Sequence, residues 1–270
     1  DYQPATCGFE GVAMPCQVRR KGMASWRDLH QKPSFKVKMD RAVQWEDATC
    51  QYCPPGESRN VWYTKKVTLN NQVQHTGEID AYRTFREHGI APLARSTHVA
   101  LYRGDELQST QSYAMVETVN DKAFMAKHFG EDYALYEVEY NRIEPKRAAG
   151  AVELDASPAY AAYILNQLPF AAMNSDNVLH YFASERVTVH WDGACYKEWK
   201  NNYFIAYNGE QYFFIPHGVD QTFQCEQWHA LTSMAPMCAP MKDCFSNATC
   251  VAAFEVAESS VMDDSKLVCC

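Results

Sequence analysis

Residues 201–223 read NNYFIAYNGEQYFFIPHGVDQTF. Two aromatic-rich runs, 203–207 and 211–215, flank Asn208-Gly209. Asn-Gly between apolar runs is the strongest short hairpin signal, because both residues accept the positive φ that a tight turn demands. The stretch therefore predicts an antiparallel hairpin. Asn201-Asn202 enter it, and His217-Gly218-Val219-Asp220 leave it at the same open end.

Working outward, residues 12–20, 34–40 and 61–69 read as strands. In the second, Phe35, Val37 and Met39 alternate with Lys36, Lys38 and Asp40, the period of a half-buried strand. Residues 77–88 read as a helix, with Ile79, Tyr82 and Phe85 at helical spacing and Gly89 as its stop. Residues 97–102 and 112–117 form a hairpin around Arg103-Gly104-Asp105, and 121–129 a short helix closed by Gly130. The strongest helix signal spans 159–173 and follows Ser157-Pro158. Pro54, Pro55 and Gly56 mark 50–60 as a surface loop. After Phe223 the chain turns to Met, Pro and Cys. The expected organisation is a body over 1–224 and a cysteine-rich appendage over 225–270 packed on it.

A 270-residue chain with 47% hydrophobic residues can bury a large core. Its formal net charge of -8 and lack of a basic block exclude a nucleic-acid partner, which needs clustered Lys and Arg. No apolar run reaches the ~18 residues of a membrane span. Eleven cysteines fall in clusters: Cys7 and Cys16 open the chain, Cys50 and Cys53 pair, Cys195 stands alone, and six crowd the end. Such clustering reads as disulfides formed in an oxidising compartment. Zinc needs two close pairs at ligand spacing, and only Cys50-x-x-Cys53 has it. An odd count leaves one cysteine free or joined to another chain. Asn247-Ala248-Thr249 is a glycosylation sequon within the terminal cluster. A chain opening Asp1-Tyr2-Gln3 fits a mature secreted protein whose signal has been removed.

Four stretches in order resemble the CotH kinase family, the atypical kinases of spore coats. Ser34-Phe35-Lys36-Val37-Lys38 is similar to its basic strand. Leu69-Asn70-Asn71 with the helix over 81–89 resembles its "leucine-asparagine-asparagine" element. Leu101-Tyr102-Arg103-Gly104 through Tyr113 to Glu117, then 121–129, resembles its central hairpin and short helix. Asn201-Asn202-Tyr203-Phe204 with 214–223 resembles its "NNYYLY … FIPWDxDxTFG" ending. The resemblance covers residues 12–224. It implies an α+β, atypical protein-kinase-like fold, ATP, Mg²⁺ and a protein substrate.

Phosphoryl transfer asks for a cation on the phosphates, oxygen ligands for the metal, and a carboxylate that orients the attacking hydroxyl. The resemblance assigns the cation to Lys36, with Lys38 on the same strand face. As a bare sequence feature, Lys36 is a solvated lysine opposite Phe35 and Val37. Glu117 falls where the family has an acidic residue beside the nucleotide; otherwise it caps the helix near Asp121. Asp176, after the long helix, falls at the place of the catalytic Asp; otherwise it is an Asx-turn residue. Asn202 and Asp220 are the metal candidates, since the hairpin between them lets both face one cleft; Asn201 is the fallback. Two departures stand out. His217-Gly218 replaces the family's Trp-Asp, removing one carboxylate that imidazole does not replace for a hard cation. Residues 177–199 read as an insertion separating Asp176 from Asn202.

Two functions follow: a secreted kinase acting on Ser or Thr of extracellular or coat proteins, and a catalytically degraded pseudokinase serving as a structural or binding part of an extracellular assembly. Lys36, Asp176, Asn202 and Asp220 favour the first. Gly218, the odd cysteine and the tail favour the second.

Overall fold

The computed structural model describes residues 1–21, 27–46, 61–72, 75–195, 200–223 and 238–264. The loop expected over 50–60, with Cys50 and Cys53, lies outside the described residues, as do Cys225, Cys269 and Cys270. The fold is α+β, built on antiparallel sheets. The chain divides into two compact units: Asp1–Ile79 with Leu93–Lys127, and Asp80–Pro92 with His128–Cys270.

The first unit is one six-stranded sheet. Its strands are β1 (Gln3–Phe9), β2 (Val12–Lys21), β3 (Ser34–Glu46), β4 (Val61–Asn70), β5 (Ala94–Arg103) and β6 (Glu106–Glu117). The order is β1-β2-β3-β4-β6-β5. Register partners share a face, so Cys16, Met39, Val37 and Val67 fall on the buried side. Phe35, Met115 and Tyr113 complete this apolar layer. The alternation expected in β3 is observed. β1 carried no clear sequence signal because its residues are nearly all exposed; Cys7–Cys16 fastens it to β2.

After β6 comes the helix α2 (Lys122–Phe129). Asp121 caps it and is 4% exposed. Its Oδ1 accepts from Ala123 N–H at 2.8 Å, and its Oδ2 from Lys65 N–H at 3.1 Å and Thr64 Oγ1 at 3.3 Å. One carboxylate thus both starts the helix and ties it to β4.

α1 (His75–His88) precedes β5. The second unit holds the four-stranded sheet β10-β9-β7-β8, formed by β7 (Tyr133–Glu139), β8 (Arg142–Ala149), β9 (Tyr203–Tyr207) and β10 (Tyr212–Pro216). The Asn208-Gly209 hairpin is present; Asn208 Oδ1 accepts from Glu210 and Gln211 N–H at 3.0 and 2.8 Å.

The expected long helix is shorter. α3 spans only Pro158–Asn166, capped by Ser157, and a 3₁₀ turn follows at Phe170–Ala172. Pro169 explains the break: it lacks an N–H and disfavours helical backbone at Leu168. The apolar run behind the expectation supplies Leu168 and Met173 to the core instead. Residues 177–187 belong to α4 (Ser175–Val187), in which Val178, Phe182 and Ala183 are fully buried. Asn177 tethers α4 to the edge strand β10. Its Oδ1 accepts from Phe214 N–H at 2.8 Å and its Nδ2 donates to Phe214 O at 3.2 Å, satisfying groups that an edge strand leaves open.

α5 (Ala239–Phe245) and α6 (Ala248–Asp264) lie in the tail. Phe254, Ala257 and Val261 make the buried stripe of α6, and Arg186 on α4 pairs with Glu258 at 3.1 Å. Cys195–Cys238 links the tail to the chain after α4, and Cys244–Cys250 links α5 to α6.

Asp121→Ala leaves buried donors of β4 and α2 without an acceptor and is expected to cost on the order of 2–3 kcal/mol in denaturant unfolding. Alkylation and peptide mapping of the non-reduced protein is expected to recover Cys7–Cys16, Cys195–Cys238 and Cys244–Cys250. Free thiols at any of those six positions would contradict the fold.

Candidate functional site

The polar centre of the second unit begins where α4 ends. Val189 adopts a left-handed backbone, φ 53, an outlier for a β-branched residue. The chain then turns through His190-Trp191-Asp192-Gly193. His190 is fully buried, and Asp192 is half-buried.

Glu185 fixes this turn from within α4. Its side chain is fully buried and accepts from the N–H groups of Ala194 and of Cys195, the latter at 3.2 Å. A Cβ on Gly193 would stand 1.8 Å from Glu185 Oε1, so only glycine permits this approach. His190 Nδ1 lies 3.8 Å from the same oxygen. Burial pushes Glu185 up to about 8, although the two backbone N–H groups oppose the shift. Burial also pulls His190 down to about 4. The two are therefore neutral neighbours at pH 6–7 rather than an ion pair.

Asp192 is held by the Asn pair that opens β9. Asn201 Nδ2 donates to Asp192 Oδ2 at 3.1 Å, and Asn202 Nδ2 donates to the same oxygen at 3.0 Å and to Asp192 O at 3.1 Å. Asn201 is buried, and its Oδ1 accepts from Tyr140 N–H at 3.1 Å, so both ends of its amide are engaged in structure. Asn202 has a left-handed backbone, φ 56, and its Oδ1 turns toward Gly218. A Cβ on Gly218 would stand 2.7 Å from that oxygen. Gly218 has φ 60, and its N–H donates to Tyr82 Oη at 3.2 Å. Asp220, half-buried, follows in the short 3₁₀ turn Val219–Gln221. Phe223, also left-handed at φ 56, donates its N–H to Thr188 O at 2.7 Å. Four left-handed residues, Val189, Asn202, Gly218 and Phe223, thus frame one cluster.

No protein-family model matches the chain, and no curated protein matches it.

The structure brings together some of the residues singled out in the sequence and separates others. Asn202 and Gly218, two residues before Asp220, meet as the hairpin required. Asp176 instead stands in the first turn of α4, with a side chain 83% exposed, 3.3 Å from His180 Nδ1. In the first unit Lys36 is half-buried and Lys38 exposed on the outer face of β3. Lys36 lies in register with Thr68 and so with Val116, whereas Glu117 lies in register with Val67. Lys36 and Glu117 therefore face opposite sides of the sheet. Glu117 is buried, and its Oε2 accepts from Leu93 N–H at 3.3 Å. Asn247 is exposed; its Oδ1 accepts from Thr249 N–H at 2.9 Å and caps α6, so the cap occupies the oxygen and not the nitrogen that a glycan would take.

Sequence reasoning missed Glu185, His190 and Asp192. The available signal was His190-Trp191-Asp192-Gly193, a turn-forming Asp-Gly just before the Asn pair. Reading 177–199 as an insertion hid it.

The paired shifts of Glu185 and His190 define a pH dependence. Glu185 binds its proton more tightly folded than unfolded, so stability is lost as pH rises from its unfolded value toward about 8. His190 binds its proton less tightly folded, so stability is gained as pH rises from about 4 to its ordinary value near 6.5. The two oppose below pH 6.5, and only the Glu185 effect remains above it. Denaturation midpoints are expected to fall between pH 6.5 and 8, and Glu185→Gln to flatten that fall.

Proposed function

We propose that the chain is a secreted, kinase-like domain that transfers phosphate from ATP to Ser or Thr of extracellular or coat proteins. The observation that carries this reading is the carboxylate of Asp192 held by two amide donors, beside Asn202 Oδ1 and the Gly218–Asp220 turn. Such a carboxylate is fixed in direction and suited to orient an attacking hydroxyl. Asn202 Oδ1 at this cluster and the carboxylate of Asp220, two residues past Gly218, are oxygen ligands, the chemistry a hard Mg²⁺ takes. Bound, Mg-ATP supplies the transferable phosphoryl group and offsets its charge. Lys36, with Lys38 on the same strand face, is the proposed cation for the phosphates. Asp192 takes the role expected of Asp176, whose exposed carboxylate is directed by nothing more than a helical neighbour. The disulfides indicate an oxidising compartment, and the sequon at Asn247 supports secretion.

A second reading rests on Gly218. Asn202 Oδ1 fills the space that a carboxylate side chain there would need, and one fewer acid weakens the hold on a cation that dehydrates reluctantly. That favours a pseudokinase kept for its surface.

Melting with and without millimolar Mg-ATP separates the two. The kinase reading expects a metal-dependent rise that Asp220→Ala removes and Lys36→Ala weakens. With substrate protein, Asp192→Asn is expected to abolish turnover while sparing nucleotide binding; loss in Asp176→Asn instead would return the role to Asp176. No rise in the wild type would leave the pseudokinase reading.

A further inference from the structure

On β7, Glu137 and Glu139 are two residues apart and so share one face. His217, just past β10, reaches the same place. Its ring meets Phe204 edge-on, with centroids 5.1 Å apart, and Phe204 is the register partner of Glu137. Packing against Phe204 thus limits the directions in which the imidazole can point. One ligand atom from each of Glu137, Glu139 and His217 lies within 4.8 Å of the others.

The distance between His217 and Glu137 fits a shared ion better than a direct contact. His217 Nε2 stands 3.7 Å from Glu137 Oε1, too far for a hydrogen bond. Two ligands at ~2.1 Å from one tetrahedral ion stand ~3.4 Å apart. An inward movement of well under ~1 Å per side chain therefore closes a three-ligand shell. Charges on β8 face the same carboxylates. Lys146 Nζ contacts Glu137 Oε2 at 2.6 Å and Glu144 Oε2 at 2.5 Å, and Arg142 stands opposite Glu139 in register. Lys146 thus engages one oxygen of Glu137 and leaves the other on the histidine side.

We propose that Glu137, Glu139 and His217 form a binding site for a divalent transition ion of the zinc class. The donor set is one imidazole and two carboxylates. Imidazole suits zinc and disfavours Mg²⁺ or Ca²⁺, which prefer oxygen throughout. Three protein ligands leave a fourth position for water. Bound there, the ion joins β7 to the segment that carries Gly218 and Asp220, and it stabilises the unit by binding only the folded chain. The site uses none of the side chains of the phosphate-transfer residues and does not depend on that reading.

The test uses the full chain with its free thiols alkylated and metals stripped by a chelator, titrated with Zn²⁺ alone by calorimetry at neutral pH. One Zn²⁺ per chain is expected, with a rise in melting temperature that millimolar Mg²⁺ does not reproduce. His217→Ala and Glu139→Gln are each expected to weaken Zn²⁺ at least tenfold, and Asp220→Asn to leave it unchanged. Absence of saturable binding in the wild type overturns the proposal, as does unchanged affinity in Glu139→Gln. Loss of binding in Asp220→Asn overturns it too, by assigning the ion to the phosphate-transfer cluster. Glu139 is exposed, so that variant decides the matter even if His217→Ala fails to fold.

Discussion

A single buried carboxyl group, Glu185, sets the path of the chain through the polar centre of the second unit. A carboxyl removed from water is costly unless it is neutral or well bonded. Here it is held toward the neutral form, and it gathers the N–H groups of Ala194 and Cys195. That demand forces the tight return of the chain after α4. The return requires glycine at 193 and a left-handed Val189, and it leaves Asp192 at the rim. The Cys195–Cys238 bridge fixes the far end of the same loop, with both cysteines buried.

From that anchor the remaining geometry follows by hydrogen bonding. Asp192 becomes the acceptor for two asparagine amides, and each Asn then differs by what its oxygen meets. Asn201 gives its oxygen to the backbone of Tyr140, so it is fully engaged in structure. Asn202 turns its oxygen toward Gly218, where a side chain would collide with it. The absence of a carboxylate at 218 and the orientation of Asn202 are thus two sides of one packing fact.

The first unit shows a simpler logic. Its sheet follows from strict alternation in β3 and from Asp121, which satisfies β4 and starts α2 at once. Register separates Lys36 from Glu117 by one residue along β6, and in a sheet one residue means the opposite face. Two residues that resemble partners in sequence are therefore divided by the pleat.

The sequence by itself determined the local elements whose signals are local. The alternation of Phe35, Val37 and Met39 gave β3, Asn208-Gly209 gave the β9–β10 hairpin, and Gly130 marked the end of α2. Turn chemistry and side-chain period act within a few residues, so they are legible without the fold. Tertiary structure alone decided what depends on burial. Pro169 breaks the apolar run over 159–173 locally, but only the packed fold sends Leu168 and Met173 into the core. The stretch 177–199 reads as an insertion from the spacing of Asp176 and Asn202 alone, and the burial of Glu185 and His190 appears only in the fold. Asp176 and Asp192 are indistinguishable as letters. Only the packed loop leaves one in solvent and places the other between two amides, because hydrogen-bond partners distant in sequence are chosen by the fold.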